Sequence, residues 1–175
     1  MRVICPISIL ILMSCGGEPT DPPKSCTISD QPTFELGTGE QMYSDMPSGS
    51  DLRMVSGPQG GCHFWLAVRT NGFAQRRFDI QYDIVFADTG TTTGSRSRQK
   101  VTLDLRDEAD ETGECEYTGY YAYLIKPWDF RDKEVEVVVN VTDDLGRTSS
   151  ARRSVVARWP EDQPGRDTES LCGER

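Results

Sequence analysis

Residues 78–86 read Phe-Asp-Ile-Gln-Tyr-Asp-Ile-Val-Phe, with an apolar or aromatic side chain at every even position and only Val85 breaking the polar odd set. Residues 133–141, Lys-Glu-Val-Glu-Val-Val-Val-Asn-Val, repeat the pattern on odd positions from Val135 to Val141. Successive side chains of an extended chain point to opposite faces. A period of two in β-branched and aromatic residues therefore marks a strand that buries one face and wets the other. Weaker copies occupy residues 33–36, 51–55, 62–69, 98–105, 115–125 and 150–158, and no window of comparable length carries a helical period. Turn chemistry separates the runs: Gly57-Pro58-Gln59-Gly60-Gly61, Thr89-Gly90, Thr93-Gly94-Ser95 and Asp143-Asp144-Leu145-Gly146. A chain of 175 residues with 36% hydrophobic side chains supports one core. The expectation is an all-β fold, a single antiparallel β-sandwich of seven to nine strands.

Two resemblances refine this. The final pair of runs, residues 135–142 and 148–157 joined by Asp143-Asp144-Leu145-Gly146, resembles the last hairpin of bacterial immunoglobulin-like domains. That likeness implies an immunoglobulin-like sandwich. The segment Gly57-Pro58-Gln59-Gly60-Gly61-Cys62-His63, with Gly37-Thr38-Gly39-Glu40 upstream, resembles a stretch found in small uncharacterised lipoproteins of Gram-negative bacteria. Taken alone, Gly37-Thr38-Gly39-Glu40 lacks the third glycine and the Lys-Ser/Thr of a phosphate loop and reads as a turn.

The N-terminus points the same way. After Met1-Arg2, residues 3–13 form an apolar run of the length of a signal-peptide core, too short to span a bilayer as a helix. It ends in Leu12-Met13-Ser14-Cys15, which resembles the lipobox of bacterial lipoproteins. The resemblance implies cleavage before Cys15 and lipidation of that cysteine. Stable anchoring takes more than one acyl chain, which a lipoprotein cysteine supplies. Gly16 rather than Asp follows, which by the same resemblance implies the outer membrane. Residues 16–25 hold three prolines and no apolar side chain, the composition of a tether. The expected organisation is a leader at 1–14, lipidated Cys15 and tether at 15–25, the sandwich at 26–159 and a polar tail at 160–175.

Nineteen basic against 28 acidic residues give a formal charge of −9, so the basic footprint of a nucleic-acid binder is missing. The membrane, through Cys15, and a protein or polysaccharide are the expected partners, and no cofactor is called for. Of six cysteines, Cys5 leaves with the leader and Cys15 carries lipid. Cys26, Cys62, Cys115 and Cys172 remain, an even number in an exported chain, and admit three pairings. Parity favours Cys62–Cys115, because Cys62 shares a face with Phe64, Leu66 and Val68, and Cys115 with Tyr117, Tyr121, Tyr123 and Ile125. Cys26–Cys172 would then tie the two ends of the domain.

The opposite face of residues 62–69 carries His63, Trp65 and Arg69, a candidate partner face, since Trp and Arg are favoured anchors at interfaces. Asp107, Asp110 and Glu111 are weak calcium candidates in an acidic loop that lacks the order of a dedicated calcium motif. Met42, Met46 and Met54 with His63 supply soft ligands for copper, but methionines more often fill gaps in a core. One histidine, no G-x-S-x-G elbow and an unfixed carboxylate pair, Asp104 with Glu116, argue against an enzyme. The expected role is a membrane-anchored, non-catalytic binding, adhesion or assembly module. The alternatives are a calcium- or ligand-binding lipoprotein and a small carboxylate-dependent hydrolase.

Overall fold

The computed structural model describes residues 29–57, 61–73, 78–90, 114–160 and 172, and the backbone of 99–103. The lipobox with Cys15, the tether with Cys26, Asp104 and the calcium candidates Asp107, Asp110 and Glu111 lie outside the described residues. Among the described residues ten strands run in chain order: β1 (Thr33–Thr38), β2 (Ser44–Asp45), β3 (Asp51–Arg53), β4 (Val55–Ser56), β5 (Cys62–Asn71), β6 (Phe78–Phe86), β7 (Gln99–Leu103), β8 (Cys115–Leu124), β9 (Glu134–Asp143) and β10 (Thr148–Arg158), with a 3-10 turn at Pro127–Phe130. Among the described residues no helix is long and apolar enough to cross a membrane.

The strands form two sheets of five. The first is centred on β5, with β8 along one edge and β1 and β4 sharing the other, and β2 extending β1. The second has the order β3-β10-β9-β6-β7. Alternation dictates what lies between them. Ile80, Tyr82 and Ile84 of β6, with Val135, Val137, Val139 and Val141 of β9, meet Phe64, Leu66, Ala122 and Leu124 of β5 and β8, all nearly inaccessible to solvent. Each such side chain contributes roughly 1.5–3 kcal/mol of burial free energy. Tyr82 and Tyr120 meet edge to face across the gap, ring centres 5.7 Å apart, and the Tyr82 hydroxyl accepts a 3.1 Å hydrogen bond from the Tyr123 backbone N–H. The molecule is an all-β sandwich.

The runs at 33–36, 62–69, 78–86, 98–105, 115–125, 133–141 and 150–158 each became one strand. The run at 51–55 became two. β3 joins the second sheet and β4 the first, with buried Met54 between them donating its backbone N–H to the Arg158 carbonyl at 2.8 Å. The sandwich is also not wholly antiparallel, because β3 pairs in parallel with β10. A chain that crosses between sheets without reversing meets its new neighbour in whatever direction it already travels, and alternation carries no record of that.

The disulfide assignment is corrected as well. Cys62 is bonded to Cys172, with Cα atoms 4.9 Å apart, and Cys115 is bonded elsewhere. Cys62–Cys115 fails on height. Cys62 faces Leu124 at one end of the β5–β8 ladder and Cys115 faces Thr70 at the other. Eight strand residues separate these levels by about 26 Å. Cys26–Cys172 fails with it, since Cys172 is taken.

The sandwich therefore has two distinct poles. At one lie Ser29, Gly72, Cys115 and the β9–β10 turn, and the Ser29 N–H donates to the Gly72 carbonyl at 2.9 Å. At the other lie the Cys62–Cys172 bridge, the end of β6 and the 3-10 turn.

Candidate functional site: an aromatic face on the first sheet

Along β5 the even residues Cys62, Phe64, Leu66 and Val68 are at most 3% exposed, and His63, Trp65 and Arg69 point outward, half-buried. That is the parity the sequence predicts. The partner strand departs from it. Leu66 faces Tyr120 and Val68 faces Tyr117, so one residue of β5 stands against two of β8. Gly119, at φ +74°, absorbs the extra residue of this bulge. Parity on β8 flips there. Cys115 is buried below the bulge, and Tyr120, Ala122 and Leu124 are buried above it. Tyr121 and Tyr123, expected inside with Cys115, stand on the outer face instead, and Tyr121 is 55% exposed. A glycine inside an alternating run was the signal for the flip.

The result is a cluster that the sequence only half reveals. Tyr123 lies directly opposite His63, and Tyr121 opposite Trp65. Four aromatic rings thus share the upper half of this face. His63 packs edge-on against Trp65 with ring centres 4.4 Å apart, and against Tyr121 at 6.1 Å. Tyr123 lies over Gly61, where an added Cβ would fall 2.9 Å from its ring. Glycine is required at 61 both for this approach and for its φ of +81°.

Arg69 belongs to a different neighbourhood. Its Nε and Nη2 donate to Glu116 Oε1 at 2.8 and 2.6 Å, Glu114 stands 3.9 Å away, and its guanidinium lies 4.2 Å from the Tyr43 ring centre. Between the two halves runs the chain from Gly37 to Tyr43. It crosses the sheet where outward-facing Ala67 is wholly covered, and the Gly119 N–H donates to the Gly39 carbonyl at 3.0 Å. Each glycine on this route permits a contact. A Cβ on Gly37 would lie 2.5 Å from the Tyr43 ring, one on Gly39 1.8 Å from the Met42 carbonyl oxygen, and one on Gly119 2.8 Å from the Glu40 oxygen. Gly37-Thr38-Gly39-Glu40 is therefore a strap over the sheet, not merely a turn, and the Thr38 hydroxyl fastens it to the Trp65 carbonyl at 2.6 Å.

Electrostatics follow from this packing. Burial holds the His63 imidazole below its ordinary pKa, against a smaller upward pull from Glu40. Its Nε2 is buried without a hydrogen-bond partner among the described residues. The ring is thus neutral at pH 7 and serves as one edge of the aromatic cluster. Burial likewise raises Tyr43, with Glu35 and Asp45 adding to the effect. Glu116, half of the carboxylate pair weighed above, is committed to Arg69.

The methionines do not form a site with His63. Met46 and Met54 are core residues, 3% and 1% exposed, whereas Met42 is 80% exposed on the strap. Among the described residues no three His, Cys, Asp or Glu side chains come together as metal ligands. Compared with protein-family models and with curated proteins, the chain matches none.

Proposed function

We propose that this chain is a lipid-anchored lipoprotein of the Gram-negative envelope, held in the outer membrane through Cys15, and that its immunoglobulin-like domain is a non-catalytic binding module. The observation that carries the binding role is the outward row of His63, Trp65, Tyr121 and Tyr123 on the first sheet. Tryptophan and tyrosine give large, stiff, amphipathic contact areas and dominate the energetics of protein interfaces. Such anchors favour a protein as the partner, with polysaccharide as the outcome to be excluded. Two features support the non-catalytic reading: the His63 Nε2 has no hydrogen-bond partner among the described residues, and Glu116 is paired with Arg69.

The test is photo-crosslinking in cells with the full chain. One probe replaces Tyr121 and the other replaces Asn140, which is exposed on the outer face of the second sheet. The expected result is a defined protein adduct from position 121 alone, lost when Trp65→Ala is added. Equal adducts from both positions, or none, would refute the reading. The anchor is checked separately by intact mass, which should exceed that of residues 15–175 by the acyl groups and fall to an unanchored species in Cys15→Ser.

A further inference from the structure

At the pole opposite Ser29, the 3-10 turn and the segments after β6 and before β9 border an open cleft of about 470 Å³. Phe86 and Trp128 supply its apolar surface, and Asp88, Asp129, Arg131 and Lys133 its rim. The aromatic face described above contributes no residue to it.

The cleft is built rather than incidental. Phe86 stacks on buried Phe130 with ring centres 5.1 Å apart, which fixes the floor. Asp132, between the two rim cations, takes the left-handed conformation at φ +54°, the only non-glycine among the described residues to do so. A non-glycine residue persists there only when its surroundings fix it. Here they do. Its N–H donates to the Ala157 carbonyl at 2.9 Å, the Ala157 N–H returns a bond to the Lys133 carbonyl at 2.8 Å, and its carboxylate accepts from Arg158 at 2.8 Å. Arg131 and Lys133 are thereby carried on a backbone locked to the second sheet.

The lining defines the ligand. Two carboxylates and two cations leave the rim without net charge, which disfavours a strongly charged molecule. The same four groups offer donors and acceptors in balance around an aromatic ring. A pyranose meets both demands, because its C–H face lies on an aromatic plane while its ring hydroxyls both donate and accept. The site is open to solvent and offers a surface on which one pyranose ring can lie. We infer that this cleft is a binding site for a neutral pyranose saccharide, with Trp128 as the stacking platform and Asp88, Thr89, Asp129 and Lys133 as the hydroxyl-binding rim, beside Arg131, whose guanidinium lies 5.6 Å from the Trp159 ring centre. The site is independent of the partner face proposed above.

The chain has three tryptophans, so the full chain carrying Trp65→Phe and Trp159→Phe retains Trp128 as its one indole reporter. It is titrated with cellotriose, maltotriose and chitotriose. The expected result is a saturable change in Trp128 emission with at least one of them. By calorimetry on the otherwise native chain, Trp128→Ala should weaken that sugar about tenfold. Asp88→Asn should weaken it several-fold, and Trp65→Ala should leave it unchanged. No saturable change with any of the three sugars overturns the inference. So does an affinity that survives Trp128→Ala, or one lost on Trp65→Ala. Should Trp128→Ala fail to fold, an affinity unchanged in both Asp88→Asn and Lys133→Gln overturns it equally.

Discussion

Asp143 and Arg147, the first and last residues of the β9–β10 turn, close on each other in a way that ties three segments together. The Asp143 carboxylate, wholly buried, accepts from the Leu145 and Arg147 backbone N–H groups at 3.0 and 2.9 Å and from Arg147 Nε at 2.7 Å. The same guanidinium donates through Nη1 to the Ser29 carbonyl, ahead of β1. Removing one member of a buried ion pair leaves the other charged and unmatched. Asp143→Ala should therefore lower stability by about 3 kcal/mol in urea denaturation. Asp143→Asn should lose less, because its amide oxygen still accepts from the turn. Equal losses would show that the turn bonds, not the charge, hold the site.

The disulfides make a second prediction. Ser29 sits against Gly72, and Cys115 faces Thr70, two residues away on β5. Cys26 is three residues before Ser29 and can reach no farther than about 11 Å from it. Peptide mapping without reductant should therefore find Cys26 with Cys115, and Cys62 with Cys172. The latter bridge closes a loop of 110 residues. Its loss in Cys172→Ser should cost about 5 kcal/mol on the loop-entropy scale.

The strap makes a third. Gly39 and Gly49 both have positive φ, but an added Cβ meets the Met42 carbonyl oxygen at the first and open space at the second. Gly49→Ala should cost about 1 kcal/mol from backbone conformation alone. Gly39→Ala should cost about 2 kcal/mol or more, since the strap must also lift. Chemical shifts of Ala67 and Trp65 should move in the second variant and not in the first. Matching losses and unmoved shifts would dissociate the strap from the face.

His63 makes a fourth, in pH. Its pKa in the fold lies below the ordinary 6.5, so the unfolded chain binds the proton more readily. The stabilisation from the neutral ring is complete above about 6.5 and is lost as pH falls from there through the folded pKa. Melting temperature against pH from about 7 down to 5 should fall more steeply in the native chain than in His63→Gln. Parallel curves would mean that the imidazole titrates as freely as in solution.

Which of these features could be read from the residues is a matter of range. Alternation is local, and it located the runs that became β1, β5, β6, β7, β8, β9 and β10 and the inward set on β5. It located Trp65 and His63 on one face for the same reason. It failed wherever an insertion or a crossing intervened. The bulge at Gly119 turned Tyr121 and Tyr123 outward, and half of the aromatic face went unread. Parity placed Cys62 and Cys115 on one side of a strand pair but is blind to position along it, so the disulfide was paired with the wrong end. Arg69 shares parity with His63 and Trp65 but is separated from them by a strap contributed from another part of the chain. The cleft at Trp128 draws on residues more than forty positions apart, and no window contains it.

The placement of the Cys62–Cys172 bridge has a mechanical consequence. Ser29 lies at the foot of β1, whereas Cys172 grips the head of β5. These neighbouring antiparallel strands, paired from Thr33 with Asn71 to Gly37 with Ala67, would be drawn past each other lengthwise by a pull between Ser29 and Cys172. Their hydrogen bonds lie across the direction of that pull and must yield together rather than one after another. Pulled between these two points, the sandwich resists extension in shear, the stiffest mode a sheet offers.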